Sequence, residues 1–238
     1  MKLRINKFLS QSGVASRRRA DILVKNKKVT INSQNANLGD QVNPENDIVV
    51  VDGKIIKSTE KYIYYAVNKP VGYTSTVRDL YAEKTVLDLV PKEPKVYPTG
   101  RLDKNSHGLI ILTNDGELTN KLTHPKYRHE KEYLIRIQDT RNKIQTNFKS
   151  QISKLQKGIR LEEGLAKFDQ LEVLEINQEK NTALFRVVLH QGWKRQIRRM
   201  CERVGLNVVD LTRTRIGKLK LENIPEGKYQ IISREDIN

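Results

Sequence analysis

The sequence predicts an α+β protein built as two units, a small basic one over residues 1–60 and a larger one over residues 61–238. Three observations carry this reading. A chain of 238 residues, 37% apolar and 30% charged, can bury one large core or two small ones. Its apolar runs, such as "IVVV" and "LIIL", are strand-length and alternate with short segments of helical period. The composition turns polar at "GKIIKSTEK" (residues 53–61), which reads as a linker.

In "LRINKFLSQSG", Ile5, Phe8 and Leu9 fall on one helical face, and Gly13 suits a C-cap. Ser16 is placed to cap a second helix, "RRRADILVKNKK", with Ala20 and Leu23 inward. Arg17, Arg18 and Arg19 then occupy its first turn, where positive charge opposes the helix dipole. A phosphate docked there would relieve the conflict. "VTIN" and "DIVVVDGKII" read as short strands, the latter with an Asp-Gly turn.

In the larger unit, "YIYYAV" alternates as a strand does, and "NKPVGYTST" turns out of it. "GLIILT" is a buried strand by length and branching. Asp115 can cap the helix "GELTNKL", which must stop before Pro125. "KEYLIRI" and "TALFRVVL" are further strands. In "WKRQIRRMCERVG", Ile197, Met200, Cys201 and Val204 form a core face, leaving Lys194, Arg195, Arg198, Arg199 and Arg203 on the others.

Charge narrows the partners. The net charge is +16. Residues 1–28 hold nine Lys/Arg against one acid, and residues 190–220 hold nine against two, so these windows carry nearly all of it. Such clustering suits phosphates of nucleic acid better than an anionic membrane, since neither window pairs its charge with a long apolar face. No apolar run approaches the roughly 20 residues that cross a bilayer, and the N-terminal stretch lacks a signal-peptide core. The expected location is the cytoplasm. A single cysteine and four scattered histidines argue against a disulfide or a zinc centre.

One carboxylate stands out. Asp103 lies in "GRLDKNSHG", a turn-rich segment just before a buried strand. Its setting leaves open a turn carboxylate, an ion pair to Arg101 or Lys104, or a catalytic group. Methyltransferase chemistry is disfavoured, because no glycine-rich G-x-G loop follows an early strand.

Two resemblances sharpen this. "INKFLSQSGVASRRRADILVKNKKVTINSQ" resembles an S4 domain, an RNA-binding module of two helices and a small sheet. The likeness implies that Arg4, Lys7, Arg17, Arg18, Arg19 and Lys25 face structured RNA. "NKPVGYTST", "GRLDKNSHGLIILTNDGELTNKLTHP", "KEYLIRI" and "GWKRQIRRM", in that order, resemble the catalytic domain of RsuA-type ribosomal RNA pseudouridine synthases. Ser106 and His107 depart from that pattern, where threonine and another polar residue are more usual. The resemblance implies a mixed-sheet domain with flanking helices. It implies Asp103 as catalytic carboxylate, Arg198 as the cation paired with it, and Tyr133 stacking on an extruded uracil. Arg101 would support base extrusion or hold a phosphate, and Lys194, Arg195 and Arg199 would contact RNA. Lys69-Pro70 and Gly72 would shape a loop beside the site. The reaction it implies needs no cofactor or metal, and the expected partner of this monomer is ribosomal RNA or a ribosome assembly intermediate. "GWKRQIRRM" is nearer the branch acting on large-subunit (23S) RNA. The rival reading is a non-catalytic S4-type RNA-binding or ribosome-assembly factor, which has no need of Asp103 and its partners.

Overall fold

The computed structural model describes residues 2–57, 61–76, 83–139 and 148–237. The chain divides into two compact units. The first comprises Met1–Ile63 with Glu93–Lys95 and Asn114–Gly116; the second comprises Tyr64–Lys92, Val96–Thr113 and Glu117–Asn238.

The first unit follows local sequence logic closely. Strand β1 (Leu3–Arg4) leads into α1 (Ile5–Gln11), which buries Ile5, Phe8 and Leu9. Gly13, just past the helix, adopts φ +71°. Helix α2 (Arg17–Lys25) starts where the Ser16 hydroxyl accepts from the Arg19 amide at 3.4 Å. Strands β2 (Val29–Ile31) and β3 (Gln34–Asn35) form a hairpin, and β4 (Gln41–Val42) pairs with β1. Strand β5 (Val49–Val51) joins β2 and turns through Asp52-Gly53, both at positive φ, into β6 (Lys54–Ile56). Two left-handed residues in succession match the right-handed strand twist, the reason Asp-Gly signals a hairpin. The linker expected over residues 53–61 is corrected in part. Residues 54–56 are a strand, because Ile55 pairs with Val50 and Ile56 packs on the apolar cluster; residues 58–60 lie outside the described residues. That cluster joins Ile5, Phe8, Leu9, Ala20 and Val24 to Val29, Val42 and Val49, with Leu23 at its margin.

The second unit is a mixed sheet with helices on it. Its strands are β7 (Tyr64–Lys69), β8 (Tyr97–Thr99), β9 (His107–Thr113), β10 (Lys131–Asp139), β11 (Ile159–Leu161), β12 (Gly164–Ala166), β13 (Gln170–Asn177), β14 (Thr182–Leu189), β15 (Leu206–Ile216), β16 (Leu219–Lys220) and β17 (Tyr229–Ile232). The main sheet runs β13-β14-β10-β15-β9-β7-β17, with β16 beside β15 and β8 beside β9. All its pairings are antiparallel except β15 with β9. Hairpin β11–β12 stands apart. The helices are α3 (Gly116–Thr123), α4 (Phe148–Lys157) and α5 (Gln196–Arg203). No helix among the described residues is long and apolar enough to cross a membrane.

Helix α5 begins later than "WKRQ" predicts. Arg195 takes φ +51°, so residues 193–195 form a turn and the helix opens at Gln196. Ile197, Met200, Cys201 and Val204 are buried, as the i, i+3, i+4, i+7 spacing requires. The β15–β9 contact is set by Gly108. A side chain there would run into the backbone of Arg213, the residue it pairs with. Gly108 also has φ +100°, so glycine is required on both counts. This contact brings β15 alongside the turn that precedes β9.

Candidate active site

Asp103, Lys104, Asn105 and Ser106 form a turn closed by the Ser106 amide donating to the Asp103 carbonyl at 3.1 Å. Each carbonyl of this segment has a donor. Leu102 accepts from the Ser75 hydroxyl at 2.9 Å. Lys104 accepts from the Gly72 amide at 2.8 Å. Asn105 accepts from Arg198 Nη2 at 2.8 Å. Ser106 accepts from Lys69 Nζ at 2.6 Å, and the same ammonium donates to Pro70 at 2.9 Å. A turn whose backbone acceptors are all matched has little freedom to rearrange. Lys69-Pro70 and Gly72 do shape the loop beside the site.

Lys69 is 0% exposed at the end of β7, and burial pushes its pKa down to about 8 against the opposing pull of Asp103. At neutral pH its ammonium is still the donor that these carbonyls need.

The Asp103 carboxylate itself makes no hydrogen bond or ion pair among the described residues. It lines a cleft of about 380 Å³ together with Arg101, Lys131, Tyr133, Trp193, Arg198 and Arg213. The expected direct pairing of Asp103 with Arg198 is corrected here. The Arg198 fork spans two carbonyls, Val208 and Asn105, each at 2.8 Å. Its charge still reaches Asp103 and Asp210, which oppose the lowering that burial and Arg195 impose on the guanidinium. The reason is geometric. Arg198 sits in the first turn of α5, where its guanidinium reaches the Val208 carbonyl of β15 and the Asn105 carbonyl of the Asp103 turn.

Tyr133 lies on β10, 8% exposed, opposite Val187 on one side and Arg213 on the other. Arg101, Lys194 and Arg195 are exposed on the cleft wall. Arg199, expected as an RNA contact, is half-buried on α5. Its guanidinium forks onto the Glu163 carboxylate at 2.6 and 3.0 Å, so its charge is already matched. In the first unit Arg4, Arg17, Arg18, Arg19 and Lys25 are exposed, and Lys7 is half-buried.

Sequence reasoning missed three cleft residues. Lys131 precedes Tyr133 by two and therefore shares its face, a signal present in "KEYL". Trp193, the sole tryptophan, lies within the basic segment. Arg213 occupies a buried position of β15, whose charged residues hid the strand's alternation. His107, which departs from the family pattern, bonds Asp210 and Thr212 at 2.8 Å each and ties the start of β9 to β15.

Comparison with known proteins matches this architecture. The family model for RNA pseudouridylate synthase matches residues 63–203, and the S4 domain model matches residues 3–49. The dual-specificity RNA pseudouridine synthase RluF of Escherichia coli strain K12 is 38% identical over 99% of this chain and 77% of its own. The ribosomal large subunit pseudouridine synthase B of Bacillus subtilis strain 168 is 35% identical over 98% of this chain and 93% of its own. A crystal structure of a pseudouridylate synthase superposes with a TM-score of 0.64 at 25% identity, covering 99% of this chain and 98% of that one. A non-catalytic RNA-binding factor is thereby displaced as a reading. The chain belongs to the RNA pseudouridylate synthase family, as an S4-bearing enzyme of the RsuA type.

Proposed function

We propose that this enzyme converts one uridine of large-subunit ribosomal RNA to pseudouridine, with Asp103 as the catalytic carboxylate. One observation supports the assignment of Asp103 above others. Its carboxylate stays unpaired in the cleft while every backbone acceptor around it is matched. A reactive group needs a free side chain on a fixed main chain.

The extruded uridine enters with its sugar toward Asp103. The carboxylate either adds to C1′ or takes a proton from C2′, and in both routes the C1′–N1 bond breaks. Tyr133 packs against the base while it turns; C5 then bonds to C1′ as the Asp103 oxygen leaves C1′ or, in the second route, as the proton returns to C2′. Extrusion costs a few kcal/mol of stacking and pairing. Arg101, Lys194 and Arg195, exposed at the cleft, offset that cost by holding the RNA backbone. The S4 unit adds a second grip through Arg17, Arg18 and Arg19 and so raises the local concentration of substrate. This reading has the enzyme acting as a cytoplasmic monomer on ribosomal RNA or an assembly intermediate. The large-subunit assignment leans on the name of the Bacillus subtilis relative.

The test is a pseudouridine map of ribosomal RNA from cells lacking the protein, restored with either the parent or Asp103→Asn. The expected result is one large-subunit site that only the parent restores. Restoration by Asp103→Asn would remove the catalytic assignment.

A further inference from the structure

The cleft carries more positive charge than RNA backbone contacts at its mouth require. Six cations line it against one carboxylate, Asp103. Three of them, Arg101, Lys194 and Arg195, are exposed and suit phosphates. Arg198 is committed to two carbonyls. Lys131 and Arg213 remain, and they sit deeper.

Arg213 is 2% exposed on β15, directly opposite Tyr133 of β10. Its Nε donates to the Leu109 carbonyl at 2.6 Å, and its buried Nη2 has no hydrogen-bond partner among the described residues. A buried charged donor without an acceptor is costly and demands an explanation. Lys131 lies on the Tyr133 face of β10, and among the described residues its ammonium bonds only the His129 carbonyl, at 3.3 Å. Two of its three donors are therefore unused. The two cations also oppose each other: burial, and then Arg213, hold the Lys131 pKa down to about 8. Two like charges held beside an aromatic ring fit a site that receives an anion.

We propose that Lys131 and Arg213 form the subsite for the detached base, matching the negative charge it carries after the glycosidic bond breaks. This rests on the function proposed above. When C1′–N1 breaks, the bonding pair leaves with the base, and its charge spreads from N1 onto O2 and O4. C5 then attacks C1′ as the Asp103 carboxylate leaves it or as the proton returns to C2′, the C5 proton is lost, and N1 takes up a proton, so the product is an isomer of the substrate. The base must travel past Tyr133 between these events, and Lys131 and Arg213 flank that ring on β10 and β15. A phosphate offers the same anionic oxygen chemistry. The buried Nη2 of Arg213 and its place opposite Tyr133 favour the base.

The experiment compares the parent with Lys131→Met and Lys131→Arg on an RNA hairpin bearing the target uridine. It measures the single-turnover rate at saturating enzyme and, separately, the hairpin Kd and its salt dependence. Lys131→Met is expected to lose about 100-fold or more in rate with Kd unchanged, and Lys131→Arg to stay within about tenfold of the parent. Should Lys131→Met fail to melt cooperatively, Lys131→Gln replaces it. An unchanged rate overturns the proposal. So does an unchanged saturating rate with weaker Kd and a shallower salt slope, which would assign Lys131 to a phosphate. Failure of the parent itself to form pseudouridine would instead count against the underlying function, not against this subsite alone.

Discussion

The two units use the same basic residues in opposite ways. In the first, Arg17, Arg18 and Arg19 are exposed on one helical turn, and among the described residues their guanidinium groups make no hydrogen bond or ion pair. In the second, Lys69 and Arg213 are buried and Arg198 half-buried, and each donates to main-chain carbonyls at specified distances. Exposed cations act additively, through counterions released from RNA, and any one of them is replaceable. Buried cations act singly, through geometry, and removing one strands its acceptors. The comparison predicts that single changes cripple the second unit while only group changes weaken the first.

The sharpest way to break that contrast is Lys69→Met. It leaves the Ser106 and Pro70 carbonyls without their donor, so it should cost about 2–4 kcal/mol of stability and release the Asp103 turn. A urea melt and a single-turnover assay on the same sample read both effects. A melt midpoint equal to the parent's would show that the buried ammonium does not hold the turn.

Arg198→Met comes next. It frees the Asn105 and Val208 carbonyls, and the expected loss is about 100-fold in rate with RNA affinity retained. Lys at this position keeps a charge but cannot span two carbonyls, so Arg198→Lys should recover only part of the rate. Full recovery would mean that charge, not the fork, is what the site needs.

In the first unit, no single arginine change should move RNA affinity by more than a few-fold. The triple change of Arg17, Arg18 and Arg19 to Ala should flatten the salt dependence of binding by about two to three in slope, at roughly 0.7–0.9 per phosphate contact. Stability should stay within about 0.5 kcal/mol of the parent. A titration of hairpin RNA across salt concentrations measures the slope, and an unchanged slope would take these residues off the RNA.

Titration separates the units more gently. Lys69 and Lys131 have folded pKa values of about 8, below the unfolded value near 10.4. Below about pH 8 both are charged in the fold, at a cost. Between about 8 and 10 the unfolded chain binds protons that the folded chain has released, so their contribution to stability rises with pH. Melts of the parent and Lys131→Met from pH 7 to 10 should show a flatter curve for the variant, with a difference of about 1–3 kcal/mol at most. A steeper curve for the variant would contradict the sign. The smallest effect concerns Cys201, buried at 0% exposure with its thiol pushed up to about 12 by burial. It should ignore a chromogenic thiol reagent until the protein unfolds, and prompt labelling of the native chain would mean that α5 opens readily.

Much of this was legible before any coordinates. Ile5, Phe8 and Leu9 on α1, the Ser16 cap, the Asp52-Gly53 hairpin and the core face of α5 all follow from periodicity or turn chemistry within a dozen residues. The strand β15 was not legible, because Arg213 takes a buried place that an apolar residue would mark. Arg198 was expected on the carboxylate and went instead to two backbone carbonyls, and the Glu163 partner of Arg199 was not foreseen.

The sequence by itself determined four of the five α-helices among the described residues, the strands β2, β5, β6, β7, β9, β10 and β14, the buried faces of α1 and α5, and, through four ordered motifs, the family and its candidate carboxylate. Those features depend on neighbours a few residues apart, which the order of amino acids states directly. Only the tertiary structure decided which donors hold the Asp103 turn, and that Lys131 and Arg213 meet beside Tyr133. The first depends on β9 lying parallel to β15 at Gly108, a contact between segments about 100 residues apart, and the second on β10 pairing antiparallel with β15. A long charged side chain bonds whatever acceptor the fold brings within about 3 Å, and no local pattern encodes that neighbour.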